Sequence, residues 1–301
     1  MISTDTPANV TPGLWAAHRR RGRKPGRATA LWAASYLALS GLVLVVTGHA
    51  WTALVHAALL ALLGWAATSR RNVAQRAFDL APPLIVIALA YGEVALLVSA
   101  LATSFRDVTI QHWDLALFGM QPAHELASRL PNVAISELLH AGYLSYYLAL
   151  SIPPLLLYLR GDSVAFEETI LTLVVTWIVG CALFVAFPVA GPRFLWGSPP
   201  GVPDGPFRRL SMSILAAGSV RGTAFPSLHM AASLSQTVMA WRWQPRWMRV
   251  AMTASTILIG IGAVYGGYHY AVDMLAGAVL GAVTTGAVIA QRRSLRSNRS
   301  A

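Results

Sequence analysis

The chain has 301 residues, of which 55% are hydrophobic and only 12% are charged. So apolar a composition excludes an ordinary soluble domain and indicates an integral membrane protein. The formal net charge of +11 would suit a nucleic-acid partner, but basic residues also accumulate in the cytoplasmic loops of membrane proteins. The single cysteine, Cys181, excludes a disulfide framework and a cysteine-based metal site.

Eight apolar stretches approach the length needed to cross a bilayer. They cover residues 29–47, 50–68, 80–101, 138–159, 166–187, 228–243, 250–267 and 269–290. We therefore predict an all-α polytopic membrane protein with eight transmembrane helices. Two N-terminal helices within 29–77 precede a six-helix core at 78–290, and basic tails at 1–28 and 291–301 flank them.

The distribution of basic residues favours an arrangement with both termini in the cytoplasm, because every inner segment then carries Lys or Arg. All but six of the 23 basic residues fall on the inner side. Since topology accounts for the charge, we predict a multi-pass protein of the cell inner (plasma) membrane with no nucleic-acid partner and no obligate protein partner. The six outer residues are Arg106, Arg129, Arg193, Arg208, Arg209 and Arg221.

Two outer segments are too long to be simple connections. The mixture of aromatic, leucine and charged residues in 104–136 predicts a helix in the membrane interface, where Asp107 and Asp114 either bind a polyol headgroup or merely solvate the helix. The segment 188–227 is rich in Pro and Gly and holds four of the six outer arginines. Long loops of this kind are usually functional, so we predict an active-site loop there, with Arg208 and Arg209 in solvent or at lipid headgroups.

Two histidines stand where predicted helices begin. Asp273 follows His269 by four residues, which places both on one helix face, where a carboxylate can orient an imidazole. A neutral imidazole oriented in this way is an activated nucleophile or base. The second histidine, His229, follows Pro226-Ser227 at the beginning of another predicted helix.

The groups expected around these histidines suit a phosphate. Guanidinium groups, here Arg193 and Arg221, match phosphate oxygens in geometry and charge. The hydroxyl of Ser227 and the unpaired backbone N–H groups at the start of the helix near Leu228 add further donors. The sequence therefore predicts a phosphate site on the outer side of the membrane.

Three motifs at 191–193, 225–229 and 269–273 make the chain resemble the type-2 phosphatidic acid phosphatase superfamily, and most nearly its inositol phosphorylceramide synthase branch. The similarity covers about the last two-thirds of the chain. It implies that His269 attacks phosphorus to form a phosphohistidine, that Asp273 orients it and that His229 protonates the leaving oxygen. No metal and no cofactor is implied. The expected substrate-binding residues are Arg193, Arg221, Ser227, Tyr268 and Tyr270.

The chain departs from the phosphatases of this superfamily at their other phosphate-binding cations. Ala186 stands where they carry a lysine, and Gly262-Ala263 replaces a Ser-Arg pair. The second motif also has Leu228 where a glycine is usual. These departures favour the phosphotransferase branch, with Arg221 as the substitute cation.

We therefore expect a phosphotransferase that acts on lipid phosphate esters at the extracytoplasmic face, with membrane lipids as substrates and a polyol as an acceptor. The alternative is a phosphatase for phosphatidate-like or polyprenyl (pyro)phosphate substrates. More remote are a haem protein with His229 and His269 as axial ligands and a transporter that uses Glu93 and Asp273. Glu93 could equally belong to a polar network between helices.

Overall fold

The regular structure of the described residues is entirely helical, which confirms the predicted all-α class. The computed structural model describes residues 27–68 and 89–297. The predicted tails at 1–28 and 291–301, the loop after residue 68 and the start of the stretch 80–101 therefore lie wholly or partly outside the described residues.

The helices of these two segments follow one another with short connections. They are α1 (Arg27–Val46), α2 (Ala50–Thr68), α3 (Leu89–Leu101), α4 (Asp107–Phe118), α5 (Pro122–Arg129), α6 (Val133–Leu144), α7 (Tyr146–Leu159), α8 (Ser163–Ala186), α9 (Pro192–Trp196), α10 (Pro206–Gly218), α11 (Leu228–Trp243), α12 (Arg246–Tyr265) and α13 (Ala271–Ser297). The segment 188–227, predicted as a loop, thus contains α9 and α10.

Four of the described helices are long and apolar enough to cross a membrane, namely α1, α8, α12 and α13. Helices α6 and α7 form a fifth candidate span if they count as one helix bent by 42°. Shorter apolar helices occur in α2 and α3, and α11 has 16 residues. The chain is a membrane protein, while the number of eight spans remains a prediction.

Local sequence explains where the helices of the core end. Helix α8 stops at Ala186, just before Phe187-Pro188, because a residue that precedes proline disfavours the helical conformation. Helix α11 starts after Ser227, whose side chain accepts a hydrogen bond from the Met230 N–H. The last turn of α8 and the first turns of α11 and α13 lie at the same end of the molecule.

Helices α11 and α13 cross with their backbones in contact. An added Cβ at Gly277 would lie 2.4 Å from the Ser227 carbonyl oxygen, and one at Gly281 would lie 2.4 Å from the Ala231 carbonyl oxygen. Glycines four residues apart let two membrane helices approach closely, and such packing drives their association where both sides are apolar. This contact sets the distance between the beginnings of the two helices.

Ion pairs join the same helices at the opposite end. Near the start of α8, Glu168 pairs with Arg242 of α11 at 2.8 Å, and Glu167 pairs with Arg292 of α13 at 3.6 Å. Helix α8 therefore runs antiparallel to both, and its charged end lies a helix length away from the histidines.

A buried polar network joins the first three helices. The Tyr36 hydroxyl donates to the Glu93 carboxylate at 2.8 Å, and His56 Nε2 lies 3.0 Å from the same carboxylate. All three side chains are buried. Of the roles considered for Glu93, the structure shows the polar network between neighbouring helices.

The helix crossing generates a paired prediction. We expect Gly281→Ala to lower stability by about 1–3 kcal/mol, because its new methyl group meets backbone that cannot yield without a shift of the helices. The matched control is Gly286→Ala on the same helix, where an added Cβ has no neighbour within 4 Å. That change should be neutral or stabilise by up to about 1 kcal/mol through helix propensity. Thermal unfolding in detergent measures both, and equal effects of the two would contradict the packing argument.

Candidate active site

The side chain of His269 is held through Nδ1. That atom lies 2.9 Å from the Ala224 carbonyl oxygen and 3.3 Å from Asp273 Oδ2. The Ala224 carbonyl oxygen can only accept a hydrogen bond, and the same holds for Asp273 when it is ionised. Nδ1 of His269 therefore carries the proton. The other nitrogen, Nε2, therefore presents a lone pair.

Nε2 of His269 points at two further predicted residues. His229 Nδ1 lies at 3.4 Å and Ser227 Oγ at 3.5 Å. On its far side, His229 Nε2 is 3.2 Å from the Tyr143 hydroxyl. The tertiary structure thus brings together His269, Asp273, His229 and Ser227, and it adds Tyr143 to them.

Burial lowers the pKa of His269 to about 4, because the ring has little contact with water and the Ala224 hydrogen bond only partly offsets this. His269 precedes the candidate span that starts at Ala271 and is only 6% exposed. Its imidazole is consequently neutral at pH 7, as nucleophilic attack requires.

Carboxylates hold the first turn of α13 in place. Asp273 Oδ2 accepts a hydrogen bond from the Tyr270 N–H at 2.8 Å. Asp114 of α4 accepts from the N–H groups of Ala271 and Val272 at 3.2 and 2.8 Å. Because these carboxylates occupy the N–H groups of Tyr270, Ala271 and Val272, those three donors are not available to a phosphate.

Asp107 fixes the loop that follows α8 in the same manner. It accepts hydrogen bonds from the backbone N–H groups of Ala190 and Gly191 at 2.9 and 2.8 Å and from the Tyr270 hydroxyl at 3.1 Å. Asp107 and Asp114 are both buried. Neither a polyol contact nor solvation of an interfacial helix, the two roles predicted for them, describes these residues.

The sequence contained a signal for this arrangement. Asp107, Ile110 and Asp114 have the spacing of one helix face, and all three are buried while Val108 and Leu117 are exposed. Two aspartates on the apolar face of a helix indicate buried acceptors. What they bind, however, belongs to segments some 80 and 160 residues away.

The first motif, at residues 191–193, packs against the residues that directly precede the other two motifs. Gly191 has a φ of 99°, and a Cβ there would lie 3.1 Å from the Ala224 side chain and 3.8 Å from the Tyr268 carbonyl oxygen. A residue with a side chain would be strained in that conformation. The Ala224 N–H also donates to the Val189 carbonyl at 3.1 Å, so the three motifs form one contiguous site.

The arginines of segment 188–227 fall into two groups. Arg208 and Arg209 pair with Asp204 at 3.1 and 3.2 Å. Arg193 instead donates to the Leu215 carbonyl and the Ser219 hydroxyl, and Arg221 lies over the Phe105 ring. Within the described segments, neither has a carboxylate partner or a hydrogen bond to the histidines.

Arg208 nevertheless lies closer to the site than predicted. It is half-buried rather than in free solvent, and its charge is near enough to act on both His140 and Tyr268. The charge of Arg193 also acts on Tyr268. Two guanidinium groups thus lie around the residue that precedes His269.

The two tyrosines next to His269 have different surroundings. Tyr270 is fully buried, and its hydroxyl joins Asp107 and Gln111, so it attaches α4 to the site. The ring of Tyr268 packs on Tyr143 with 4.8 Å between centroids. Its hydroxyl lies 3.9 Å from the Met212 sulfur and next to the Ser211 hydroxyl.

Unpaired backbone donors remain at the beginning of α11. Among the described residues, the N–H groups of Leu228 and His229 have no hydrogen-bond acceptor. They adjoin Ser227 Oγ at the positive end of a 16-residue helix. The described part of the chain contains no group of three or more His, Cys, Asp or Glu side chains arranged to hold a metal ion.

The backbone of α6 lies against Gly262, where the phosphatases of the superfamily carry the serine of their Ser-Arg pair. An added Cβ at Gly262 would lie 2.3 Å from the Leu139 carbonyl oxygen of α6. A serine there would require α6 to move away. The glycine is therefore part of the packing that brings Tyr143 to His229.

We expect Asp114→Asn to slow turnover about tenfold or more, because an amide nitrogen in place of one carboxylate oxygen leaves a backbone N–H of α13 unsatisfied, at about 1–3 kcal/mol. Glu125→Gln on α5 is the control, since Glu125 forms an exposed pair with Arg129 and such pairs contribute little. Turnover per folded protein, checked by thermal unfolding, measures the effect. Equal rates for the two variants would contradict a positioning role for Asp114.

Comparison with known proteins identifies the family of the chain. The family model of the PAP2 superfamily matches residues 109–287, which include all three motifs and α4 from Thr109 onward. No curated protein and no solved structure matches the chain. Members of the superfamily are phosphatases and phosphotransferases, so membership indicates an enzyme of lipid phosphate chemistry. Since the match covers more than half of the sequence, the chain belongs to the PAP2 superfamily.

Proposed function

We propose that the chain is a membrane phosphotransferase that acts on lipid phosphate esters through a phosphohistidine at His269. One observation carries the proposal: Nδ1 of His269 is bound by Ala224 and Asp273, while Nε2 faces His229 and Ser227. A nucleophile, its orienting carboxylate and an acid–base group within reach are the parts that such a mechanism needs.

The proposed reaction is a double displacement. His269 Nε2 attacks phosphorus, the ester P–O bond breaks, and His229, which starts this step protonated on both nitrogens, gives one proton to the departing oxygen so that an alcohol leaves. An acceptor alcohol then gives its proton to His229 while its oxygen attacks phosphorus, and the P–N bond breaks so that His269 regains its lone pair. In-line displacement of this kind depends on positioning and on electrostatic stabilisation of the spread charge.

Substrate binding must separate the two rings. Only 3.4 Å lies between His269 Nε2 and His229 Nδ1, whereas a reacting phosphorus atom needs about 3 Å to each neighbour. His229 is partly exposed and is held on its far side by one hydrogen bond, to Tyr143. We therefore propose that the His229 ring moves aside when the phosphoryl group enters.

Donors at the start of α11 form the proposed phosphate cradle. The free N–H groups of Leu228 and His229 and the Ser227 hydroxyl lie beside His269. Arg193 and Arg221 lack carboxylate partners among the described residues, so their charge is available to an anion. Tyr268 completes the substrate-binding set, whereas Tyr270 acts through its bond to Asp107.

The packing at Gly262 supports transfer over hydrolysis. The Ser-Arg pair of the phosphatases is absent there, and α6 leaves no room for a side chain at Gly262. This agrees with the inositol phosphorylceramide synthase branch and with transfer of a phosphoalcohol such as phosphoinositol to a lipid acceptor. One observation favours the alternative: His229 is partly exposed, and water that reached it would make the enzyme a phosphatase for phosphatidate-like or polyprenyl substrates.

The charge distribution supports an active site at the extracytoplasmic face of the inner membrane. Arg242 and Arg292, which the topology places inside, lie at the ends of α11 and α13 opposite the histidines. Basic residues mark the cytoplasmic ends of membrane helices. The site at the other end would therefore face outward.

Labelled lipid phosphates test the chemistry directly. Acid-labile label should accumulate on purified wild-type protein, with or without EDTA, and should be absent from His269→Ala. Asp273→Asn should retain the fold and lose about 10³–10⁴-fold in rate, as other orienting aspartates do. His112→Ala, an exposed histidine on α4, is the matched control.

The reaction products distinguish a phosphotransferase from a phosphatase. Label that appears in a lipid acceptor supports transfer, whereas free phosphate under every condition supports the phosphatase. Label that persists in His269→Ala would contradict His269 as the nucleophile. Loss of activity in EDTA with rescue by magnesium would show that turnover requires a metal ion.

The pH dependence should reflect burial of His269. Because its pKa is lowered to about 4 from the ordinary 6.5, phosphoenzyme formation should persist below pH 6 and fail near pH 4, where the ring gains a proton. The unfolded chain binds that proton first, so thermal stability should fall as pH drops from about 6.5 toward 4. His269→Ala should show a shallower fall. A loss of phosphoenzyme centred near pH 6.5 would contradict a buried neutral nucleophile.

A further inference from the structure

His229 is held through both of its ring nitrogens. Nδ1 lies 3.4 Å from His269 Nε2, and Nε2 lies 3.2 Å from the hydroxyl of Tyr143 on α6. The rings of Tyr143 and Tyr146 pack on the imidazole with 5.1 and 4.4 Å between centroids. Turning the imidazole over would break both nitrogen contacts, so Nδ1 faces the reaction centre and Nε2 faces Tyr143.

The proton positions along this row of contacts follow from the Ala224 carbonyl. It can only accept a hydrogen bond, so His269 carries its proton on Nδ1 and presents a lone pair on Nε2. His229 Nδ1 must then carry a proton, because two lone pairs that face each other at 3.4 Å would repel. A neutral imidazole has only one N–H group, so Nε2 of neutral His229 accepts a hydrogen bond and the Tyr143 hydroxyl donates it.

Turnover reverses the role of His229 Nε2. In the proposed reaction the partly exposed His229 first takes up a proton from solvent on Nε2. The Nδ1 proton then passes to the departing oxygen, and the electron pair of the broken N–H bond stays on the imidazole. His229 is left neutral with its proton on Nε2 until the acceptor alcohol gives a proton to Nδ1. Nε2 therefore accepts a hydrogen bond at rest and donates one during the reaction.

A hydroxyl group can serve Nε2 in all of these states. A carbonyl or carboxylate oxygen can only accept a hydrogen bond and a backbone N–H can only donate one, whereas a hydroxyl does either after a rotation. Tyr143 is 4% exposed, and its hydroxyl has no other hydrogen-bond partner among the described residues. It can consequently turn with the protonation state of His229, and its bond is stronger when the imidazole is charged.

We propose that Tyr143 is the positioning residue of the acid–base histidine. Its hydroxyl donates to Nε2 of resting His229, accepts from the Nε2–H group during turnover, and thereby keeps Nδ1 as the atom that exchanges protons with the substrate. Tyr143 keeps its own proton throughout. The assignment rests on the proposed function, and it implies that the Tyr143 hydroxyl matters only where the reaction must deliver or remove a proton.

Tyr143→Phe tests the assignment with little risk to the fold. It removes the hydroxyl but leaves the ring that packs on His229 and Tyr268. Tyr146→Phe is the matched control, because Tyr146 contacts the same imidazole and, among the described contacts, no hydrogen bond joins the two side chains. Thermal unfolding of the full-length chain in detergent verifies that both variants are folded.

The leaving group distinguishes loss of acid positioning from a general loss of structure. Single-turnover phosphoenzyme formation is compared for phosphatidate, whose departing alcohol needs a proton, and p-nitrophenyl phosphate, whose departing phenolate does not. We expect Tyr143→Phe to lower the maximal rate with phosphatidate about 10–100-fold, the range for loss of a hydrogen bond to a charged group. The half-saturating concentration should change less than about twofold, since substrate binding is untouched.

The p-nitrophenyl reaction of Tyr143→Phe and both reactions of Tyr146→Phe should change less than about threefold, because none of them loses a required proton transfer. Equal slowing of the two esters in Tyr143→Phe would indicate a general structural effect and contradict the assignment. Unchanged rates with both esters would contradict it as well.

A double variant tests whether Tyr143 acts through His229. His229→Ala should show the same selective loss with phosphatidate. Adding Tyr143→Phe to it should slow the reaction no further, because the hydroxyl has then lost the group that it positions. Rate losses that multiply in the double variant would show that Tyr143 acts independently of His229, against the proposal.

Nitrogen NMR tests the proton assignment without turnover. In protein with isotope-labelled histidine, the signal that disappears in His229→Ala should report a proton on Nδ1 and none on Nε2, and Tyr143→Phe should shift its Nε2 resonance. A proton on Nε2 of resting His229 would overturn the assignment even if the phosphohistidine forms. If wild type forms no phosphoenzyme from either ester, the proposed function fails, while the NMR result still decides whether Tyr143 donates to His229.

Discussion

The site depends on how the start of α13 is held. Three buried carboxylates, of Asp107, Asp114 and Asp273, accept hydrogen bonds from Tyr270 and the two residues after it. These bonds fix the backbone that carries His269, and the close approach of α11 at Gly277 and Gly281 then sets the position of His229 and Ser227 relative to it. Buried carboxyl groups of this kind are tolerated because hydrogen bonds from the protein replace the water that they lose.

The same packing explains what the chain lacks relative to the phosphatases that it resembles. At Gly262 the backbone of α6 approaches too closely for a side chain, and this approach delivers Tyr143 to His229 and His140 to Tyr268. A side chain at position 262 and α6 in its present position cannot occupy the same space. The departure in sequence thus has a steric counterpart in the fold.

Polar groups in the interior differ in whether the protein itself supplies their hydrogen-bond partners. Glu93 with Tyr36 and His56, and Asp114 with the first turn of α13, are paired within the protein and hold elements together. By contrast, the N–H groups of Leu228 and His229 have no acceptor among the described residues. Unpaired donors are costly, and these two adjoin Ser227, whose Oγ lies 3.5 Å from His269 Nε2.

The sequence by itself determined the helical membrane class and identified His269 with Asp273, and His229, as candidate site residues, because hydropathy and a spacing of four residues along a helix are local properties. It also located the start of α11 at Leu228. It did not show that α9 and α10 are helices, that Asp107 and Asp114 bind distant backbone, or that Arg208 lies near Tyr268 while Arg193 reaches Leu215. Only the tertiary structure decided these points, because each depends on contacts between segments tens to more than a hundred residues apart.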